Sequence, residues 1–193
     1  MCGRFYIPPD DDESGFEAIM EQVKRLFRDS PELGEMKRGE IFPTEIVPVI
    51  TDKAPALMKW GFSRYDGKGP IINARLETAV EKPTFKKAYA SRRCLIPASH
   101  YYEWRKDGAL KTKYAIGTGA PIYMAGLYTL EKDAPLPLFV ILTRPAAPAL
   151  SFIHDRMPVI VPEHLRQKWL TEPIGTGELL RLSEERLEYR EAI

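Results

Sequence analysis

Only two cysteines, Cys2 and Cys94, occur among 193 residues, and there is no CxxC pair. With so few cysteines, no CxxC and no histidine spacing of a zinc site, neither a disulfide framework nor a structural metal is expected to organise this chain. The three histidines stand at no metal-ligating spacing, and neither a metal nor an organic cofactor is expected. An excess of charge of one sign is also missing: 28 Lys and Arg against 27 Asp and Glu leave a net +1. A nucleic-acid function would therefore rest on a local basic groove, without a globally basic steering field. No apolar run approaches the roughly 18–20 residues that a bilayer crossing requires. Nor does the N-terminus show the charged and then apolar segments of a secretory signal. The expectation is a cytoplasmic protein with no membrane partner. No repeat, low-complexity stretch or linker is visible, so residues 1–193 are expected to form one domain and to act as a monomer.

What is present is ordinary in amount and irregular in order. Hydrophobic residues make up 44% and charged residues 28%, enough for one well-filled core. Ser14-Gly15-Phe16-Glu17 has the capping-box pattern. Phe16, Ile19, Met20, Val23, Leu26 and Phe27 then recur at helical spacing through about Arg28. Strand-like runs follow at residues 45–51, 54–60 and 69–73; Pro48 inside the first argues for an edge or a bulge. A short helix is expected over residues 84–91. Strands are expected over 94–98, 101–104, 112–117, 121–130, 136–143 and 157–161, with an Asp107-Gly108 turn between the second and third of these. The run at 136–143 is near-continuously apolar, as in a strand buried on both faces. A helix over 163–170 begins after Pro162. Seventeen prolines and the lack of strand-helix alternation argue against a doubly wound sheet. The fold class is α+β: a curved or barrel-like, mostly antiparallel sheet with peripheral helices.

The chemistry begins at the second residue, in Met1-Cys2-Gly3-Arg4-Phe5. Removal of the initiator Met would leave Cys2 with a free α-amine beside its thiol. The amine, with a reference pKa of about 7.7–8.0, has a substantial neutral fraction at physiological pH. The thiol lies near 8.5 and is expected to be lowered by a cation such as Arg4. Such a 1,2-aminothiol attacks one carbonyl twice. Taken alone, a terminal cysteine is equally a tail residue or a small buried hydrophobe.

Three further segments carry candidate groups. Asn73-Ala74-Arg75-Leu76-Glu77-Thr78 leaves an apolar strand. There Asn73 offers a donor and an acceptor to an amine, and Arg75 a planar fork for phosphate. By itself the segment is also a plain loop with a capping Asn. In Tyr101-Tyr102-Glu103-Trp104, strand alternation sets Tyr101 and Glu103 on one face and Tyr102 and Trp104 on the other. A carboxyl among aromatics has its pKa raised by desolvation, which suits proton transfer near neutrality; pointed at solvent it is only a surface charge. Finally, His154 in Ser151-Phe152-Ile153-His154-Asp155-Arg156-Met157-Pro158 is the best acid/base candidate among the histidines, with Arg156 placed to hold a phosphate.

Together these motifs resemble the SRAP family, the SOS response-associated peptidases. The resemblance lies in CGRF at residues 2–5, Trp60-Gly61, NARLET at 73–78, Lys82-Pro83, Arg93-Cys94, YEW at 102–104 and HDRMPV at 154–159, in the family's order. It implies a protein of the DNA damage response that binds single-stranded DNA and traps abasic sites covalently. The residues it carries over are Cys2 as nucleophile, Asn73 near its amine, Glu103 and His154 as proton-transfer groups, and Arg4, Arg75 and Arg156 on phosphates. Base-stacking aromatics are expected among Trp60, Phe62, Tyr65 and Trp104. Two departures stand out. Phe62-Ser63-Arg64-Tyr65-Asp66-Gly67 replaces the family's Pro and Trp, leaving the wedge role to Tyr65 or to none, and the usual final strand is not recognisable in residues 179–193. Two other classes remain open from the residues alone. One is an N-terminal-nucleophile hydrolase, a glutamine amidotransferase or a peptidase. The other is a single-strand-binding module in which Cys2 is incidental.

Overall fold

β-branched and aromatic residues crowd the middle of the chain, and there two strands run far longer than the local pattern suggests. The computed structural model describes residues 2–9, 15–132 and 134–192; Met1 and the Ser14 end of the expected capping box lie outside them. In chain order, β1 (Arg4–Ile7), α1 (Glu17–Leu26), α2 (Pro31–Glu35), β2 (Gly39–Ile41), β3 (Ile46–Ile50) and β4 (Pro55–Trp60) form the first part. Next come β5 (Asn73–Arg75), α3 (Leu76–Ala79), α4 (Pro83–Ser91), β6 (Arg93–Asp107), β7 (Leu110–Thr129) and β8 (Leu138–Pro145). The last are β9 (Arg156–Pro158), α5 (Glu163–Thr171), α6 (Thr176–Leu182) and β10 (Glu188–Glu191).

Five strands close on themselves in the order β7-β8-β4-β3-β6, because β6 also pairs with β7. The expected α+β barrel-like sheet is thus present. It is mostly antiparallel, with β4 and β5 parallel to β8. Period-2 alternation divides the apolar residues between two cores. Val47, Met58, Trp60, Ile96, Met124, Phe139 and Ile141, drawn from all five closed strands, share one cluster inside the barrel. Leu95, Leu127, Val140 and Leu142 take the opposite face and meet Phe85, Leu165 and Trp169 of the surrounding helices. Each large apolar side chain so buried contributes roughly 1.5–3 kcal/mol. Strand β8 lies in both cores, which is why its sequence reads as an unbroken apolar run. Gly126 is required by the closure, since a Cβ there would stand 2.4 Å from Ile96 Cδ1 and 2.9 Å from Cys94 Sγ.

The separate strands expected over 94–98 and 101–104 are one strand, and so are those over 112–117 and 121–130. The register jumps instead of ending: Ala98 faces Ile122, while His100 faces Gly117. A bulge of this kind bends a strand without terminating it. The hairpin turns at the expected place, with Gly108 at φ 58° between the paired Asp107 and Leu110. Pro48 sits in an interior strand, not at an edge. Its missing N–H is tolerated because β3 meets β6 only at Ile50 opposite Leu95.

Beyond the bulge the hairpin carries a second layer, β2-β1-β6-β7-β10. β1 sets Arg4 opposite Tyr102 and Phe5 opposite Tyr101. On the far side, β10 pairs Glu188 to Glu191 with Gly117 to Tyr114, so a final strand does cover that edge. Its four residues, Glu-Tyr-Arg-Glu, are all exposed, and a strand without a buried face leaves no hydrophobic alternation to read. No helix among the described residues is long and apolar enough to cross a membrane.

Candidate active site

Cys2 enters immediately before β1 and is fully buried, its Sγ donating to the Arg4 carbonyl at 3.6 Å. Asn73 opens β5 beside Ile141 of β8 and donates from Nδ2 to the Cys2 carbonyl at 2.8 Å. This bond crosses 71 positions of sequence and ties the N-terminal segment to the barrel. Asn73 Oδ1 is buried and has no hydrogen-bond partner among the described residues. An amide so placed holds one bond to Cys2 and keeps an acceptor in reserve.

Glu103 projects from β6 on the face of Tyr101, as strand alternation predicts; it is only 4% exposed and Tyr101 1%. Burial pushes the Cys2 thiol well above its ordinary value, and the neighbouring Glu103 charge pushes it further; a hydrogen bond from the Arg4 backbone opposes both. The expected lowering by the Arg4 cation does not occur. In register with Tyr102, Arg4 leaves β1 on the face opposite Glu103. Its Nη1 lies 2.7 Å from Glu40, and its guanidinium lies 3.6 Å from the Phe42 ring centroid. Lys113 meets the other Glu40 oxygen at 2.8 Å. Despite partial desolvation, these two cations hold the Glu40 carboxyl below its usual range. Tyr101 lies well above the normal phenol range, first through burial and then through Cys2 and Glu103. Thiol, carboxyl and phenol thus share one low-dielectric space.

His154 lies in the turn after the 3₁₀ segment Pro148–Leu150, and its neighbour Ile153 packs in the same core cluster as Cys2. Its Nδ1 stands 3.0 Å from the Arg156 backbone N–H and 2.8 Å from Asp155 Oδ1. The two contacts ask for opposite protonation of one nitrogen. The backbone donor is fixed, whereas the Asp155 side chain is 84% exposed, so the geometry favours a bare Nδ1 and a proton on Nε2. Arg156 forms a fork on Glu77, at 2.5 and 2.9 Å, and donates to the Thr143 carbonyl at 2.7 Å. Glu77 is held below the usual carboxylate range chiefly by that hydrogen bond. β5 pairs Arg75 with Thr143, and Arg156, in register with Pro145, reaches the carbonyl of the same Thr143 through its side chain, so both arginines meet at one β8 position.

The expected aromatics divide. Trp60 is fully buried between Phe5 and Phe139 and donates from Nε1 to the Ile72 carbonyl at 3.0 Å, so it presents no face to a base. Phe62 is likewise interior, against Phe85. Tyr65 is fully exposed in a turn braced by Arg64 on Asp66. Trp104 is half-buried on the Arg4 face, with Lys111 Nζ 5.1 Å and the Arg4 guanidinium 5.5 Å from its ring centroid. Cys2, Asn73 and Glu103 therefore form one cluster, and Arg4 with Trp104 lies across the sheet from it. Sequence reading missed Glu40 and Glu77, which aim two of the arginines. Glu77 stood within a quoted motif, but its partner is 79 positions away.

A model of the family described as SOS response associated peptidase (SRAP) matches residues 1–191. The abasic site processing protein YoqW of Bacillus subtilis (strain 168) is 31% identical over 200 residues, covering 94% of this chain and 87% of that protein. YobE of the same organism, also called an abasic site processing protein, is 31% identical over 186 residues, covering 88% and 82%. The abasic site processing protein YedK of Escherichia coli (strain K12) is 29% identical over 187 residues, covering 92% and 83%. Among solved structures, a Bacteroides thetaiotaomicron protein superposes with a TM-score of 0.78 at 23% identity, covering 98% of this chain and 91% of that one; it shares the fold. On the whole-chain family match and these relatives, the chain belongs to the SRAP family.

Proposed function

We propose that this protein processes abasic sites in single-stranded DNA by joining them covalently to Cys2 after Met1 is removed. The observation that carries the reading is the 2.8 Å bond from Asn73 to the Cys2 carbonyl, which ties a would-be 1,2-aminothiol to the barrel beside the buried Glu103 carboxyl. The names of the relatives point to abasic sites.

The ring-opened deoxyribose of an abasic site presents an aldehyde. The α-amine of Cys2 adds to it, and the carbinolamine loses water to give an imine. The thiol then adds across the C=N bond: sulfur bonds to carbon, the thiol proton passes to nitrogen, and a five-membered thiazolidine closes. Aldehyde and aminothiol become thiazolidine and one water, with no oxidation or reduction. Burial keeps the thiol protonated at neutral pH, so the amine attacks first. Glu103, the charged neighbour of that thiol, is placed to take and return its proton. His154, carrying its proton on Nε2, serves opening of the sugar ring and departure of water. Both nucleophiles belong to one residue, so ring closure has the high effective concentration of an intramolecular step. Arg75 and Arg156 hold the backbone, while Arg4, Tyr65 and Trp104 take flanking nucleotides.

The test mixes protein, shown by mass to have lost Met1, with a single-stranded oligonucleotide bearing one abasic site. The mixture is then denatured. A mass increment that survives and is absent from Cys2→Ala is the expected result. Processed, folded protein that yields no adduct overturns the reading.

A further inference from the structure

A second aromatic cluster lies beside the Cys2 site, and none of the roles above uses it. Phe152 and Tyr189 are 42% and 48% exposed, yet they touch, with centroids 5.1 Å apart at 64°. Tyr114 meets Phe152 at 6.0 Å and 82°, and Tyr189 at 6.0 Å and 73°. All three contacts are tilted or edge-on and none is stacked flat, and Phe152 and Tyr189 keep exposed ring area for a base. Isolated exposed apolar residues are common on proteins, but two large aromatic rings in contact at the surface form a patch.

The cluster joins the candidate active site along two paths. Tyr114 stands directly opposite Glu103 in the β6–β7 ladder, where opposed side chains share a face about 5 Å apart. Phe152 precedes His154 by two residues in the same turn. A cation completes it. The Arg105 guanidinium lies 5.8 Å from the Phe152 centroid, interacts with the Tyr114 hydroxyl and makes an exposed pair with Asp107 at 3.2 Å. Such pairs contribute little and yield to a phosphate. Glu191 accepts from the Tyr114 hydroxyl at 3.2 Å.

We infer that Phe152 and Tyr189 form a stacking platform for the base of a nucleotide flanking the abasic site, with Arg105 on its phosphate. This assignment rests on the single-strand reading above and extends it to residues that no motif identified. Recognition here is of a π-face and a phosphate, so it is independent of base identity. The platform draws the neighbouring base out of line with the lesion and thereby steers the deoxyribose toward Cys2.

The experiment uses undamaged single strands carrying 2-aminopurine at successive positions, alongside the same strands with one abasic site. Stacking should quench the fluorophore at one flanking position. Phe152→Leu and Tyr189→Leu keep apolar bulk but remove the π-face; each should abolish that quench and weaken undamaged-strand binding by about 5- to 150-fold. Phe152→Trp should retain both. Arg105→Gln should lower the slope of log affinity against log salt by about 0.7. Thermal unfolding checks that the variants fold, which exposed positions should permit. Leu variants that bind and quench like wild type overturn the platform, even where the Cys2 adduct forms normally. A wild-type dimer that Phe152→Leu dissociates without changing strand affinity also overturns it, in favour of self-association. Failure of the wild-type adduct, by contrast, counts against the Cys2 reading and is measured separately from stacking on undamaged strands.

Discussion

Replacing Asn73 tests most directly what holds the Cys2 segment in place. The Asn73 amide donates to the Cys2 carbonyl at 2.8 Å, and Cys2 is fully buried. A neutral hydrogen bond contributes about 0.5–1.5 kcal/mol net, but a buried carbonyl left without a donor costs about 1–3 kcal/mol. Asn73→Ala should therefore lower the population of the docked terminus by about 2 kcal/mol, close to 30-fold. Cys2 precedes β1, so this segment can fray without unfolding the barrel. The loss should fall on the adduct rate at saturating abasic DNA, by roughly 5- to 150-fold. Unfolding should shift by no more than about 4–8 °C, the full 2 kcal/mol expressed globally. Asn73→Asp has nearly the same volume and sets an acceptor against an acceptor, so it should lose at least as much. The assay is a single-turnover time course on denaturing gels, with binding to undamaged strands measured in parallel. Folded Asn73→Ala and Asn73→Asp proteins that crosslink within about twofold of wild type would refute the argument.

Three further outcomes follow from neighbouring contacts. Glu77→Gln removes the carboxylate that occupies the Arg156 fork; single-strand affinity at low salt should rise, and the salt slope should steepen by about 0.7, as read by anisotropy titration over a salt series. Trp60→Phe discards the indole bond to Ile72 and part of the barrel core, so it should lower stability by about 1–3 kcal/mol while leaving the affinity of the folded protein for DNA unchanged; a selective loss of affinity would return Trp60 to the interface. Burial raises both Cys2 and Cys94 in the folded state, so above the free-thiol value near 8.5 the unfolded chain releases protons that the native one keeps. Stability should be level below about pH 8 and then fall by up to about 1.4 kcal/mol per pH unit for each thiol; urea midpoints from pH 7.5 to 10 measure it, and Cys94→Ala should reduce the slope.

Much of the site was legible because its chemistry is local. The aminothiol potential of Cys2 follows from its position alone, and the face shared by Tyr101 and Glu103 follows from strand alternation. The apolar run in β8 announced a strand buried on both sides. Where reading failed, the deciding contact was distant or the local signal was absent. Strands β6 and β7 continued through Ser99 and Gly119 because pairing across a bulge outweighs weak local propensity. Strand β10 showed no alternation because none of its residues is buried. Trp60 looked like a base-stacking residue because an aromatic beside a glycine says nothing of which face it takes; barrel closure placed it between Phe5 and Phe139.

The sequence by itself determined the kinds of reactive group, the class of fold and the family, since these reside in residue identity, periodicity and motif order. Tertiary structure decided which groups meet and in what electrostatic state. Arg4 is two residues from Cys2 in the chain yet turns to the opposite face of the sheet, so proximity in sequence did not lower the thiol's pKa. Asn73, 71 positions away, touches Cys2 instead. Hydrogen bonding and desolvation depend on distances of a few ångströms, and only the closed barrel sets those distances.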